Sequence, residues 1–169
     1  PPFVNIASMK NHGVDFEVSF KNTWGDLGVN ASATMTTYKN EITKIAEGVP
    51  FFDYGDSRIG ANTRNMVGQP ISAFYGYQVE GLFQSQSEID GAPVQDGAEP
   101  GFFRYANLDQ TPNGDGDQVI GPEDRTIIGN PNPKFTYGFN LGFNYKNWDL
   151  STFIYGSYGN DILNFNTWW

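Results

Sequence analysis

The chain has 169 residues, of which 16% are aromatic, 17% are charged and 20 are glycine, a composition typical of a β-rich protein with many turns. No run of 18 apolar residues occurs, which argues against a transmembrane helix, and the lack of cysteine excludes disulfides and thiolate metal sites. The first residues show neither the basic nor the apolar segment of a signal peptide, so we expect an internal or processed piece of a longer protein.

The net charge of −9 arises in one segment. Residues 46–133 contain thirteen acidic residues and four arginines, which gives −9, whereas the rest of the chain has six acidic and six basic residues. Such an acidic segment disfavours nucleic acid as a partner and suits divalent cations or neutral ligands. Simple solvation of a long loop is an equally good interpretation.

Two stretches near the start alternate between apolar and polar residues. Valine and phenylalanine alternate with polar residues over 14–21, and residues 27–36 alternate in the same way. Because successive side chains of a strand point to opposite sides, both stretches are predicted to be strands with one apolar face. The residues from Asn22 to Asp26 predict a tight turn between them. His12 is the only histidine, and we expect it to have a structural role.

Residues 46–133 alternate between turn-rich and apolar stretches, which favours a long ordered loop. Ser85 lies three residues before Glu88, a spacing that predicts a short capped helix over 85–89. Three aromatic residues are weak candidates for stacking on a substrate's sugar rings, and packing within the loop is the favoured alternative: Phe74, Tyr75 and Tyr77.

The sequence NGDGDQVIGPED at residues 113–124 resembles the twelve-residue calcium loop. Calcium takes six to eight oxygen ligands, and alternate positions of such a loop converge on one centre. The predicted ligands are Asn113, Asp115, Asp117, the carbonyl of Val119, and Asp124. Gln118 occupies the position that normally requires glycine, so we expect weak affinity, on the order of 0.1–1 mM. The alternative is a turn cluster that holds no ion.

The clearest alternation is FTYGFNLGFNYK at residues 135–146, where every second residue is large and apolar. Lipid outside and water inside a barrel require this pattern, so we predict a membrane strand. The lipid-facing residues would be Phe139, Leu141 and Phe143, and the lumen-facing ones Asn140 and Asn144. A turn over 146–148 and a less regular strand over 148–155 follow.

Short turns on one side and a long connection on the other are typical of outer-membrane barrels. We therefore predict an all-β fold of antiparallel strands from a transmembrane β-barrel, present as a fragment, with one long structured extracellular loop. Residues 1–45 would form two barrel strands joined by a short periplasmic turn. Residues 46–133 would form the acidic extracellular region, and residues 134–169 two further strands and the start of the next loop. Any strand within 46–133 must be non-spanning or cross in pairs.

Three motifs resemble one family: VGQPISAFYGYQVEGLF at 67–83, NGDGDQVIGPEDRTIIGNPNPKFTYGFN at 113–140 and YGSYGNDILN at 155–164. They are similar to the C-terminal barrel half of SusC/RagA-type TonB-linked outer-membrane transporters of Bacteroidetes. The resemblance implies a 22-stranded barrel in the outer membrane, with a plug and a TonB contact that lie outside this chain. It also implies import of oligosaccharides or peptides with a SusD-like lipoprotein as lid.

No residue pattern indicates catalysis, so we do not expect an enzyme. The alternative function is a soluble, calcium-stabilised β-sandwich that binds glycans or mediates adhesion. What the apolar face of residues 135–145 contacts distinguishes the two hypotheses.

Overall fold

The computed structural model describes residues 6–56, 60–108 and 118–164, which form almost entirely antiparallel β-structure. None of the helices in these ranges is long and apolar enough to cross a membrane. Two compact units are present: the first lies within Pro1–Phe52, Asn65–Ser72 and Asn130–Trp169, the second within Asp53–Arg64 and Ala73–Gly129. The elements, in chain order, are β1 (Ala7–Trp24), β2 (Leu27–Ile45), β3 (Phe51–Asp56), β4 (Gly60–Met66), β5 (Ala73–Tyr77), β6 (Val79–Leu82), α1 (Gln86–Asp90), β7 (Phe103–Tyr105), a 3-10 turn (Pro122–Asp124), β8 (Arg125–Gly129), β9 (Phe135–Tyr145) and β10 (Trp148–Tyr158).

The first unit contains a four-stranded sheet in the order β1-β2-β9-β10, with every neighbouring pair antiparallel. The four alternating stretches of the sequence therefore form one continuous sheet. Although the whole acidic segment separates β2 from β9 in the chain, the two strands pair directly from Leu27 opposite Tyr145 to Thr37 opposite Phe135. The acidic segment is thus an insertion between two adjacent strands.

Both tight turns are shorter than predicted. Trp24 pairs with Leu27, so only Gly25 and Asp26 form the first turn, and Asn22 belongs to β1 rather than to the turn. Trp148 likewise pairs with Tyr145 and begins β10. In both hairpins the strand pairing continues until only two residues remain for the loop. Gly25 at the first turn position has φ 61°.

The strands β1 and β2 are also longer than predicted, with 18 and 19 residues. The prediction ended where the apolar alternation ended, at residues 14 and 36. The pairing continues through polar residues as far as Ala7 opposite Ile45, with a register shift between Ser8 and Met9. Hydrogen bonding between strands does not require the apolar face, so the hydropathy pattern marked only part of each strand.

The insertion consists of short strands in two small sheets, one in the order β3-β4-β5-β8 and one formed by β6 and β7. These strands have three to seven residues, and a membrane-spanning strand needs about 9–11. The predicted helix is confirmed as α1: Ser85 is its N-cap, and the Ser85 hydroxyl accepts the Glu88 N–H at 3.4 Å. The Glu88 carboxylate in turn accepts the Gln84 N–H at 2.9 Å.

Candidate functional site

The pairing of the four-stranded sheet places the apolar residues of all four strands on one face. Directly paired residues share a face, and the register assembles rows that cross the sheet. One such row contains Val18, Ala33, Phe139 and Ile154. Val18 is 52% exposed, Phe139 48% and Ile154 55%, so this face is uncovered in the described part of the chain. The β-sandwich alternative does not match this arrangement, because a sandwich would bury the face against a second sheet.

Aromatic residues border this apolar face at both ends. The row beside the turns contains Trp24, Leu27, Tyr145 and Trp148. Ten residues further along each strand, which is five rows on the same face, Phe135 contacts Tyr158 at 5.1 Å between ring centroids. Ten residues at about 3.3 Å each, tilted by about 40°, span about 25 Å, which is the height of the apolar band of an outer-membrane barrel. The face therefore has the dimensions and the aromatic borders of a membrane-spanning surface.

The opposite face is mainly polar. Asn140 pairs across the sheet with Ser32, and its side-chain amide donates to the Ser32 hydroxyl at 3.2 Å. One step along β9, Gly142 pairs with Asn30, and a Cβ on Gly142 would lie 2.5 Å from the Asn30 side-chain oxygen. Glycine at this position lets the Asn30 amide lie across the neighbouring strand. The face thus presents amides and hydroxyls, as predicted for Asn140 and Asn144.

Two buried asparagines hold a corner of the chain in the first unit. Asn40 is 6% exposed and its side-chain oxygen accepts the Ile71 N–H at 2.9 Å. Asn65 is 4% exposed and its side-chain oxygen accepts the Ser72 N–H at 2.8 Å. Ser72 has φ 58°, a left-handed conformation that costs about 1–2 kcal/mol for a non-glycine residue. The two amides stabilise this strained corner.

The GNPNP sequence before β9 joins the same corner to the end of β10. The Asn130 side-chain oxygen accepts the Asn132 N–H at 2.9 Å, and the Asn132 amide donates to the Ile71 carbonyl at 3.1 Å. Asn130 and Asp161 bind each other twice: the Asn130 N–H donates to the Asp161 carboxylate at 2.7 Å, and the Asp161 N–H donates to the Asn130 carbonyl at 2.8 Å. We call this set the asparagine clasp: Asn40, Asn65, Asn130, Asn132 and Asp161.

In the second unit, Tyr75 lies beneath an ion pair. The Arg64 guanidinium is 3.6 Å from the centre of the Tyr75 ring and donates to both carboxylate oxygens of Asp53 at 2.8 Å. The hydrogen bond to Asp53 raises the pKa of Arg64 above its usual value, so the guanidinium stays charged. One face of the Tyr75 ring is therefore occupied by a cation from its own chain.

Tyr77 continues the same cluster. Its ring stacks on Tyr105 at 5.0 Å, and the Arg125 guanidinium lies 5.1 Å from Tyr75 and 5.7 Å from Tyr77. Phe74 lies at a bulge, where the pairing of β5 with β8 shifts by one residue. Of the three aromatic residues predicted as weak substrate contacts, Tyr75 and Tyr77 thus have ring faces occupied by packing partners.

Replacing Arg64 by glutamine is expected to destabilise the second unit by about 2 kcal/mol, because charged hydrogen bonds and a cation–π contact are lost together. Limited proteolysis of the intact protein measures the opening of this unit. The matched control is Arg104→Gln: Arg104 lies 3.4 Å from Glu80, and both side chains are more than a third exposed. We expect about 0–1 kcal/mol there. Equal losses in the two variants would contradict a special role for Arg64.

Of the five predicted calcium ligands, Asn113, Asp115 and Asp117 lie outside the described residues. Val119 forms a parallel bridge with Val94. Asp124 is fully buried: its carboxylate accepts the Leu108 N–H at 2.5 Å and the Gly121 N–H at 2.8 Å. Within 6–56, 60–108 and 118–164, no three acidic or histidine side chains form a cluster that would hold a metal.

Gln118 has φ 59°. It occupies the sixth position of the predicted calcium loop, where a sharp turn normally requires glycine. The backbone therefore adopts at Gln118 the left-handed conformation that this position of a calcium loop needs.

Sequence reasoning did not single out the arginine partners of Tyr75 or the asparagine clasp. Arg64 and Arg125 are two of the four cations in the acidic segment, and that scarcity was a signal that could have found them. No sequence signal marks Asn40 or Asn65, because each binds backbone groups whose position depends on the fold.

No protein-family model matches the chain, but curated relatives and solved structures do, and they agree with this geometry. Two curated relatives from Formosa agariphila are TonB-dependent receptor P3, 33% identical over 168 residues, and TonB-dependent receptor P26, 32% identical over 163 residues. Each match covers 95% of this chain, and the chain spans 16% of the length of each relative.

Solved structures of a RagAB complex share the fold. The chain aligns with one described as the RagAB peptide importer in its open-open state, with a TM-score of 0.67 and 22% identity over 91% of this chain and 15% of the other. It aligns with another, described as the RagAB peptide transporter, with a TM-score of 0.65 and 24% identity over 89% and 15%. These TM-scores show a shared fold, that of strands from a transmembrane barrel.

Proposed function

We propose that this chain, a segment of a SusC/RagA-like TonB-dependent receptor, forms four adjacent strands in the wall of an outer-membrane transport barrel. The single observation that carries the proposal is the uncovered apolar face of β1, β2, β9 and β10, which is bordered by aromatic rows and is about 25 Å high. The opposite, polar face would line the lumen.

The orientation follows from the connections. In outer-membrane barrels short turns lie in the periplasm and long connections outside the cell. The two-residue turns at Gly25–Asp26 and Lys146–Asn147 would therefore be periplasmic. The insertion between β2 and β9 would begin and end outside the cell, and its strands are too short to cross the membrane.

The whole receptor would import oligosaccharides or peptides, together with a SusD-like lipoprotein and energised through TonB. Support comes from the sequence similarity to TonB-dependent receptors and from the fold shared with the RagAB importer. The polar face offers Asn30, Ser32 and Asn140, whose amides and hydroxyls suit neutral sugars or peptide backbones. The substrate would pass through the barrel chemically unchanged.

Cysteine labelling of the intact receptor tests the wall assignment. This chain contains no cysteine, and the receptor without the substitutions is the control for labelling elsewhere in the protein. With the receptor in a lipid bilayer, a water-soluble thiol reagent is expected to label Asn140→Cys and to leave Phe139→Cys unlabelled. Both variants should react after denaturation, which is the control for reactivity. Labelling of Phe139→Cys in the bilayer at the rate of Asn140→Cys would overturn the proposal.

We also propose that the loop at residues 113–124 binds calcium and stiffens the extracellular segment. The conformation of Gln118 supports this, since it matches the sixth position of a calcium loop.

Millimolar calcium is expected to raise the melting temperature of the wild-type receptor by a few degrees, because an ion bound only to the folded state stabilises it by mass action. The Asp115→Ala variant should lose the shift, and magnesium at the same concentration is the control for ionic strength. An equal shift in melting temperature in wild type and variant, or no shift in either, would contradict calcium binding by this loop.

A further inference from the structure

The lipid-facing side of the sheet ends in basic residues at its outer end. One row beyond the aromatic pair of Phe135 and Tyr158, His12 pairs directly with Lys39, and both are on the same face as the apolar rows. Rows are about 6.6 Å apart, so these basic residues lie one row above the apolar band. The Lys39 side chain is 70% exposed.

The charge at this end contrasts with the rest of the molecule. The chain carries −9 overall, yet the last two rows of this face hold Lys10, His12 and Lys39 against a single acid, Glu41. Lys39 lies 3.9 Å from the Glu41 carboxylate, and Lys10 pairs with Glu41 from the neighbouring strand. Glu41 thus has two lysines around it, and the local balance stays positive.

A cavity of about 580 Å³ adjoins these basic residues. Its lining includes His12 and Lys39 together with the apolar residues Val14 and Pro133. Such a mixture suits an amphiphile whose charged end meets the basic residues while its apolar part lies along the sheet. A free inorganic anion has no apolar surface that could pack against the apolar lining.

We propose that His12 and Lys39 bind the phosphate of a lipid headgroup in the outer leaflet, with the adjacent cavity taking part of the lipid's apolar portion. The inference rests on the proposed function, since it needs the apolar face to lie in the bilayer. The continuity of the site with the lipid-facing rows favours a membrane lipid over a soluble phosphate. A lysine at this depth attracts anionic headgroups and contributes about fivefold to the affinity.

Native mass spectrometry of the intact, detergent-purified receptor tests the site with lipid A as the probe. The double variant His12→Gln, Lys39→Gln is expected to bind lipid A at least fivefold more weakly than wild type. The control Lys21→Gln removes a cation from the opposite face of β1 and should bind lipid A as wild type does. Equal affinity in wild type and double variant would overturn the site.

Two further arms separate the sources of the phosphate. Dephosphorylated lipid A should bind wild type and the double variant equally, and inorganic phosphate should not compete with lipid A at equal concentration. Effective competition by inorganic phosphate would overturn the assignment to a lipid. Labelling of Phe139→Cys in a bilayer reports separately on the proposed function. If Phe139→Cys is protected but the double variant binds lipid A with wild-type affinity, the proposed lipid site is wrong while the barrel-wall assignment stands.

Discussion

Replacing Phe139 by arginine is expected to destabilise the membrane-inserted receptor by about 2–4 kcal/mol. Phe139 lies near the middle of the apolar rows, between Ala33 of β2 and Ile154 of β10. A guanidinium at this level would lie in hydrocarbon with apolar neighbours on both sides and would have to reach past further rows to meet water. Urea-dependent folding of the receptor into lipid bilayers, followed by the change in gel mobility on folding, measures the loss.

Asn140→Arg is the matched control, because it places the same side chain one residue further along the same strand. Asn140 is exposed on the opposite face, and its substitution removes only the hydrogen bond to Ser32. We expect a loss within about 1 kcal/mol. Similar losses for the two variants would contradict the division of the sheet into a lipid face and a lumen face.

The same pair of variants separates a barrel wall from a soluble sandwich when folding is measured with and without lipid. A sandwich would fold in plain buffer and would show the Phe139 penalty there. A barrel wall acquires its fold only when lipid or detergent covers the apolar face, so the penalty should appear only in the presence of bilayers.

The sequence predicted the spanning part of the sheet well because lipid imposes a period of two. Within the apolar band each residue faces either hydrocarbon or water, and that choice is visible at Phe139 and Asn140. Beyond the band neither face of a strand meets hydrocarbon, so the alternation stops while the pairing of β1 with β2 continues to Ala7 opposite Ile45. The parts of β1 and β2 that the sequence did not predict are therefore those outside the hydrocarbon layer.

The small sheets of the insertion were not predicted for a related reason. Strands of three to seven residues such as β7 are too short to establish a period, and their pairing depends on distant segments. Within the insertion the sequence predicted only a feature formed by residues close together in the chain, the capping of α1 by Ser85. The partners of Tyr75, at positions 64 and 125, come from two other strands and became visible only in the fold.

The asparagine clasp gives the family resemblance a physical meaning. Ile71 belongs to the first of the three similar motifs, Asn130 and Asn132 to the second, and Asp161 to the third. Hydrogen bonds join all three motifs at the ends of β9 and β10. The motifs are far apart in sequence but form one corner of this chain, where the insertion leaves and rejoins the four-stranded sheet.

Replacing Asp124 by alanine is expected to destabilise the second unit by about 3 kcal/mol, because the change removes the carboxylate that accepts the buried Gly121 N–H and the part-buried Leu108 N–H. Asp124→Asn keeps one oxygen and should cost roughly half as much. Limited proteolysis of the intact receptor, with the rate converted to an opening free energy, measures both. The control is Glu123→Ala, since Glu123 is exposed and adjacent; a change within about 0.5 kcal/mol is expected.

If the destabilisation by Asp124→Ala comes from lost hydrogen bonds, it does not depend on calcium. Removing calcium with a chelator therefore distinguishes a hydrogen-bonding role of Asp124 from a calcium-binding role. Backbone N–H groups need an acceptor whether or not an ion is bound, so the loss in Asp124→Ala should persist in excess EDTA. The calcium shift proposed for Asp115 should instead disappear under the same conditions. A loss that vanishes with EDTA would show that Asp124 acts through the ion, and the hydrogen-bonding role assigned to its buried carboxylate would then be wrong.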